Sequence, residues 1–329
     1  MGALACVTTG FEVIARHPEL TLLPLVLDLF LWLGPRLSIA PILQGIKAFM
    51  VQLMVTEVAM PDIGESYTIA TQMLEELSQG FNLFSLLNPG PLLGVPVLMP
   101  TYLSSLRPIG TQPALEVASL LILLVWVPVL AVVGLGLNAI YLDGVGRRVI
   151  DVTESPLPGP KTIWMTWRQF LELGLFLFVI VFSFFVVLSF FGTLIGLLSL
   201  AFAGLLMTLA SSVLLFAALH LLFTVPGIVL LRRQLLAAMR ESLLLMRGDF
   251  LNVIFLLGLI VVISRGLNVV WTLPKPDSWS TLVGLMGHAF VSTALTAGLF
   301  VFYQERLRYV EAMKALYAAQ EAPAHSAVE

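Results

Sequence analysis

The sequence predicts an all-α integral membrane protein, with about six transmembrane helices, cytoplasmic amphipathic helices and a partly helical, apolar outer segment. Composition and pattern together carry this. Hydrophobic residues make up 59% of the 329 residues and charged ones 11%, with a mean hydropathy of +0.99. A soluble domain carries about 25% charged residues, so water is not the solvent for most of this surface. Apolar stretches approaching the roughly 20 residues that cross a bilayer core recur along the chain. The single cysteine, Cys6, leaves no intrachain disulfide and no cysteine-rich metal site.

Residues 1–320 read as one polytopic membrane domain, and 321–329, Ala-rich with Pro323, as a disordered tail. The first span, 20–33, is short unless it starts near Phe11 or continues past Pro35. It carries Pro24 and Asp28, which predicts a kink. The second, 118–142, is continuous. The third, 170–191, holds the run LFLFVIVFSFFVVLSFF and is broken at Gly192. The fourth covers 196–223, the fifth 251–271 and the sixth 282–303.

The outer segment, 34–116, contains an apolar helical stretch at Ser38–Val55 and an amphipathic one at Tyr67–Ser78. The Pro/Gly-rich run Asn88–Pro108 follows. Its prolines forbid a regular span, while its apolarity argues against a solvated loop. Capping of the bundle and a buried re-entrant loop both fit.

Basic residues set the orientation. With the N-terminus inside, Arg16, Arg147, Arg148, Lys161, Arg168, Arg232, Arg233, Arg240, Arg247, Arg306, Arg308 and Lys314 are cytoplasmic, 12 of the 17 Lys and Arg. A multi-pass cell-membrane protein with both termini in the cytoplasm is expected. Arg233, Arg240 and Arg247 recur every seven residues and would form one stripe on a Leu/Ala/Met helix. With Arg147 and Arg148 they are candidates for facing anionic headgroups; the alternative is that they only obey the positive-inside rule. An arginine precedes a leucine at Arg16/Leu20, Arg168/Leu171 and Arg247/Leu251. Three related hairpins would give this pattern, and so would independent headgroup anchoring.

Ionisable and polar groups inside apolar spans are the functional suspects, because unpaired burial costs several kcal/mol. Asp28 and Arg265 could pair and staple the first span to the fifth, reach headgroups separately, or hold an ion or proton. His288 shares a face with Ser292 and Thr296, which fits helix packing or a substrate path.

The sequence has no HExxH, GxSxG or GxxxxGK[ST] pattern, and its four histidines are scattered. No enzyme activity, cofactor or metal is expected, and no nucleic-acid partner. Membrane lipids are the expected partners, with a homo-oligomer or a membrane protein partner also open.

The run TVPGIVLLRRQLLAAMRESLLLMRGDFLNVIFLLGLI (Thr224–Ile260), the stretch FYQERLRYVE (Phe302–Glu311) and RHPELTLLPLVLD (Arg16–Asp28) resemble a family of bacterial six-span membrane proteins. That family is related to the membrane domain of some glycerophosphodiester phosphodiesterases, and the resemblance covers about half the chain. It implies a membrane bundle but no phosphodiesterase activity, and no particular substrate. The expected role is membrane transport or envelope lipid handling, with a scaffold or assembly subunit as the alternative.

Overall fold

The computed structural model describes residues 2–56, 64–90, 93–102, 104, 106–154, 162–196 and 199–321. Helix α1 (Ala3–Arg16) leads through a 3₁₀ turn (Pro18–Thr21) into α2 (Leu22–Leu33). Strand β1 (Arg36–Ser38), helices α3 (Ala40–Thr56) and α4 (Gly64–Gly80), and 3₁₀ turns at Leu83–Leu87 and Met99–Thr101 come next. Three short strands follow, β2 (Leu106–Arg107), β3 (Gly110–Thr111) and β4 (Ala114–Glu116). The remainder is helical: α5 (Leu120–Thr153), α6 (Ile163–Gly196), α7 (Leu200–His220), α8 (Thr224–Leu231), α9 (Leu235–Gly248), α10 (Phe250–Trp271) and α11 (Thr281–Glu321).

Among the described residues five helical stretches are long and apolar enough to cross a membrane: Leu120–Thr153, Ile163–Gly196, Ala201–Leu231, Phe250–Trp271 and Thr281–Met313. The chain is an all-α, multi-pass membrane protein. The expected first span is the exception. At 12 residues α2 is about 18 Å long, well short of a hydrocarbon core of about 30 Å. Pro24 sits in its first turn, where its missing N–H costs nothing. The break falls earlier, at His17 and the Pro18–Thr21 turn.

The other helices outrun their predicted spans, because a helix leaving lipid continues where i,i+4 and i,i+3 ion pairs support it. Asp143–Arg147 (2.9 Å) and Arg148–Asp151 (3.6 Å) carry α5 on to Thr153. Glu305–Arg308 (3.5 Å) does the same for α11, which reaches Glu321; residues 322–329 lie outside the described residues. Gly192 does not break the third span. It is a buried position within α6, where an added Cβ would lie 2.7 Å from the Met207 methyl. The three Arg–Leu lead-ins also differ. Arg16 ends α1, Arg168 lies inside α6, and Arg247 is in the last turn of α9.

The described residues divide into two compact units. Unit 1 comprises Met1–His17, Leu142–Ile260 and Ala294–Glu329, and unit 2 comprises Pro18–Tyr141 and Val261–Thr293.

In unit 2 the ends of the 34–116 segment are tied together. β1 runs parallel to β4, with Arg36 opposite Ala114 and Ser38 opposite Glu116. The Val117 amide extends this ladder to the Ser38 carbonyl at 2.8 Å. Gln112 donates through Nε2 to the carbonyls of Leu31 and Trp32, both at 2.7 Å. The Arg107 guanidinium donates to Leu33 O. These donors occupy carbonyls that the last turn of α2 cannot satisfy itself. Trp32, fully buried, donates to Pro276 O at 2.8 Å and packs edge-on against Trp279. Helices α3 and α4 pack together, with Lys47 Nζ 2.7 Å from Glu75 Oε2. The Lys47 hydrogen bond holds the Glu75 carboxyl below the usual range.

In unit 1 the hub is α11. Its small residues Ala294 and Gly298, four apart, meet Gly10 of α1 at backbone distance. A Cβ on Gly10 would lie 2.5 Å from the Gly298 nitrogen, and one on Gly298 would lie 3.1 Å from Val7 Cα. Close approach of this kind lets helices gain dispersion contact where lipid offers no hydrophobic drive. The buried face of α1 (Ala3, Cys6, Val7, Gly10, Val13, Ile14) follows helical spacing.

Substituting Gly298→Val should therefore lower thermal stability in detergent by about 1–3 kcal/mol, the range for overpacking. An unchanged unfolding midpoint would show that the α1–α11 crossing is not tightly packed.

Candidate functional site

The polar centre of unit 1 is built where α7 gives way to α8. After His220 the helix pauses for three residues, and Ser242 of α9 occupies the gap. Its hydroxyl donates to His220 O at 2.6 Å and accepts from the Phe223 amide at 3.1 Å. Helix α8 is buried from Thr224 to Leu230, and Arg232 at its end takes a left-handed conformation (φ 54°) that turns the chain into α9. Gly227 permits close packing of α8, since a Cβ there would lie 3.0 Å from the Tyr303 hydroxyl and 3.4 Å from Ala238 Cβ.

Two ionic contacts fasten α9 and the start of α10 to α11. The Tyr303 hydroxyl donates to Glu241 Oε2 at 3.2 Å, and Arg233 Nε approaches the same oxygen at 3.7 Å. Arg306 pairs with Asp249 at 2.6 Å, with only 16% and 25% of the two side chains exposed, and stacks 4.7 Å over the Phe302 ring. Asp249 also accepts from Asn252 Nδ2 at 2.6 Å. The two sequence stretches Thr224–Ile260 and Phe302–Glu311 thus meet in one cluster.

The arginine stripe is shorter than predicted. Arg233 precedes α9, in the linker at Arg232–Gln234, because α9 begins only at Leu235. Arg240 and Arg247 remain on one exposed face beside exposed Leu236 and Leu244. Arg147 and Arg148 carry ion pairs along α5. Gln169, buried on α6, donates to Arg233 O at 2.7 Å and so fixes the linker.

Beside that linker lies an open groove of about 650 Å³. Arg168, Gln169 and Glu172 of α6 form one end with Gln234, and Leu175, Phe176 and Val179 continue the same face, joined by Leu235 and Leu236. Arg168 and Glu172 are 3.3 Å apart. From Arg168 to Val179 the face runs about 16 Å at 1.5 Å per residue. It is charged at one end and wholly apolar beyond.

In unit 2 the first predicted suspect, Asp28, is fully buried. Its Oδ1 accepts from the amides of Leu98 and Met99, both at 2.8 Å, and its Oδ2 from Leu98 at 3.0 Å. Of the alternatives open for Asp28 and Arg265, the pair does not form. Backbone N–H groups at the start of the Met99–Thr101 turn take the carboxylate, and Arg265 is exposed on α10. Among the described residues of the Asn88–Pro108 run, Leu98 and Met99 are thereby pinned to α2, and Leu93, Val95, Leu98 and Met99 are buried. Tyr102 adds a contact, its hydroxyl 3.3 Å from the carbonyls of Trp271 and Pro274. Burial raises the pKa of that hydroxyl.

His288 Nε2 stands 3.4 Å from Ser292 Oγ on α11, and His288, Ser292 and Thr296 are half-buried. The neighbouring row Ala289, Thr293 and Ala297 is buried. Asp28, Arg265 and His288 make no common site. Sequence reasoning missed Asn138, fully buried in α5 with neither amide atom partnered, and Gln304, 2% exposed. Both are neutral amides, and attention to ionisable groups alone passes over them. No group of His, Cys, Asp and Glu among the described residues could hold a metal ion.

No protein family, characterised protein or solved structure matches the chain.

Removing Asp28 by Asp28→Leu leaves two buried amides unsatisfied. It should cost about 3 kcal/mol or more and open the 88–108 run to protease. Asp28→Asn keeps one acceptor oxygen and should be milder. Equal stability of all three proteins would overturn the pinning role. For the half-buried Arg306–Asp249 pair, a double-mutant cycle with Arg306→Met and Asp249→Ala should give a coupling of about 1–2 kcal/mol. A coupling near zero would mean that the pair does not hold α10 to α11.

Proposed function

We propose that this chain is a non-enzymatic bacterial cell-membrane protein that handles envelope lipid, with both termini in the cytoplasm. The groove on α6 is the observation that carries the reading. Its shape follows that of a lipid. A charged and amide-bearing end at Arg168, Gln169, Glu172 and Gln234 suits a headgroup, and Leu175, Phe176, Val179, Leu235 and Leu236 suit an acyl chain. Arg168 and Gln234 supply donors to a phosphate, and Glu172 offers an acceptor to an ammonium group.

The orientation rests on the distribution of basic residues. Arg16, Arg147, Arg148, Arg168, Arg232, Arg233, Arg240, Arg247, Arg306 and Arg308 all belong to unit 1, whereas unit 2 holds Arg36, Lys47, Arg107, Arg265 and Lys275. Under the positive-inside rule the helix ends and linkers that carry these arginines are cytoplasmic, which puts the groove's charged end at the inner-leaflet headgroups. Exposed Leu236, Arg240, Leu244 and Arg247, alternating apolar and basic along α9, give it the character of a helix lying at that interface.

Native mass spectrometry of the detergent-purified protein tests the reading. Leu175→Trp with Val179→Trp fills the groove and should lower retained phospholipid about tenfold, equivalent to 1.4 kcal/mol of affinity. Val269→Trp, at an exposed position on α10, should not. Equal retention in both variants would overturn the lipid-handling assignment.

A further inference from the structure

We propose that a polar recess in unit 1, separate from the α6 groove, binds a small zwitterion, a group that carries an ammonium and an anionic oxygen close together. The recess holds about 330 Å³ between α1, the end of α5 and α11. That is the lower end of the range of small-molecule sites.

The lining carries both signs of charge from more than one element. Glu12 and Arg16 come from α1, Glu154 from the end of α5, and Glu305 and Arg308 from α11. Arg308 is engaged, pairing with Glu305 at 3.5 Å and donating to Thr153 O at 3.3 Å. Glu12, Arg16 and Glu154 have no ion pair among the described residues, although Glu12 and Arg16 stand four apart on one helix. Acidic and basic side chains that share a recess without neutralising one another suit a ligand that brings both charges.

Gln304 gives the independent sign of a ligand. It lines the recess yet is 2% exposed, and its Nε2 has no partner. The Thr153 hydroxyl lies 2.9 Å from Gln304 Oε1 and 2.7 Å from Val149 O. A hydroxyl has one proton: given to Gln304 Oε1 it leaves the NH₂ unpaired, and given to Val149 O it leaves the Thr153 oxygen to accept from the NH₂ of a turned amide, with the amide oxygen unpaired. Whichever way the amide is turned, Thr153 meets one end of it and the other end stays unsatisfied. Leaving a buried amide group unpaired costs about 1–3 kcal/mol, which a ligand atom in the recess would recover. The NH₂ end would donate to an anionic oxygen beside Arg16; the carbonyl end would accept from an ammonium beside Glu12 and Glu154.

Ammonium and anionic oxygen come together both in a free solute and in an ethanolamine phospholipid headgroup, and two measurements separate these sources. Calorimetric titration of the intact protein in detergent uses O-phosphoethanolamine and glycine as soluble probes. Native mass spectrometry after reconstitution in nanodiscs compares ethanolamine with choline phospholipid, whose quaternary ammonium donates no hydrogen bond.

Binding of a soluble probe, weakened about tenfold by Gln304→Leu and by the exposed pair Glu12→Gln with Arg16→Gln, supports a solute site. Selective retention of ethanolamine lipid, lost in the same variants, supports a headgroup site. Because Glu12 and Arg16 are exposed, that double variant keeps its fold even if Gln304→Leu does not. Leu175→Trp with Val179→Trp should leave this binding intact, so the groove and the recess succeed or fail separately. Absence of both kinds of binding, or binding indifferent to the variants, overturns the proposal.

Discussion

Every departure from regular helix in this protein has to satisfy the backbone groups that it frees. In lipid and in a packed core no water does so, and each orphan costs several kcal/mol. The side chains that meet this demand organise the structure. Asp28 takes the amides that open the Met99–Thr101 turn. Gln112 and Arg107 take the carbonyls that end α2. Ser242 serves both sides of the α7–α8 joint with a single hydroxyl, and Gln169 supports the linker before α9. Most of the polar residues buried at these joints therefore work for the backbone. This explains why Asp28, the most conspicuous polar residue of its segment, is a structural clamp.

The spans were legible because burying about 20 apolar residues in lipid leaves a compositional trace that no soluble fold requires. Their ends were not. Once outside lipid, α5 and α11 continue on ion pairs four or three residues apart, a pattern equally at home in a loop read from one sequence. The first predicted span, 20–33, is not one long helix for another reason. Phe11–Leu33 is apolar enough as a whole, but the turn at Pro18–Thr21 divides it into two short helices. Asp28's partners were hidden because backbone amides look alike at every residue. By contrast, Ser242, Asp249 and Arg306 stood inside stretches that already looked distinctive, and their meeting in one cluster gives those stretches a physical reason.

The helices of unit 1 serve different purposes, and burial separates them. In α11, 61% of the apolar window is buried, against 11% in α6. Small residues such as Ala294 and Gly298 let neighbours reach the α11 backbone, which suits a central post. The outward face of α6 carries Phe178, Phe182, Phe185 and Phe190, all exposed. Bulky aromatic rings hold neighbouring backbones apart and suit contact with lipid chains.

The groove belongs to the lipid-facing kind of helix and the recess to the central kind, and their chemistry differs accordingly. A site open along α6 needs apolar length, since its occupant keeps most of its contacts in the bilayer; Arg168 and Glu172 need only hold one end of it. A site walled by α1, α5 and α11 gains little from apolar contact with a small polar occupant. It has to replace that occupant's hydration with fixed charges and an amide. Gln304 is the sharper of the two signals for this reason. An exposed apolar groove is ordinary on a membrane protein, whereas a buried amide with one end unsatisfied carries a free-energy cost whenever the recess is empty.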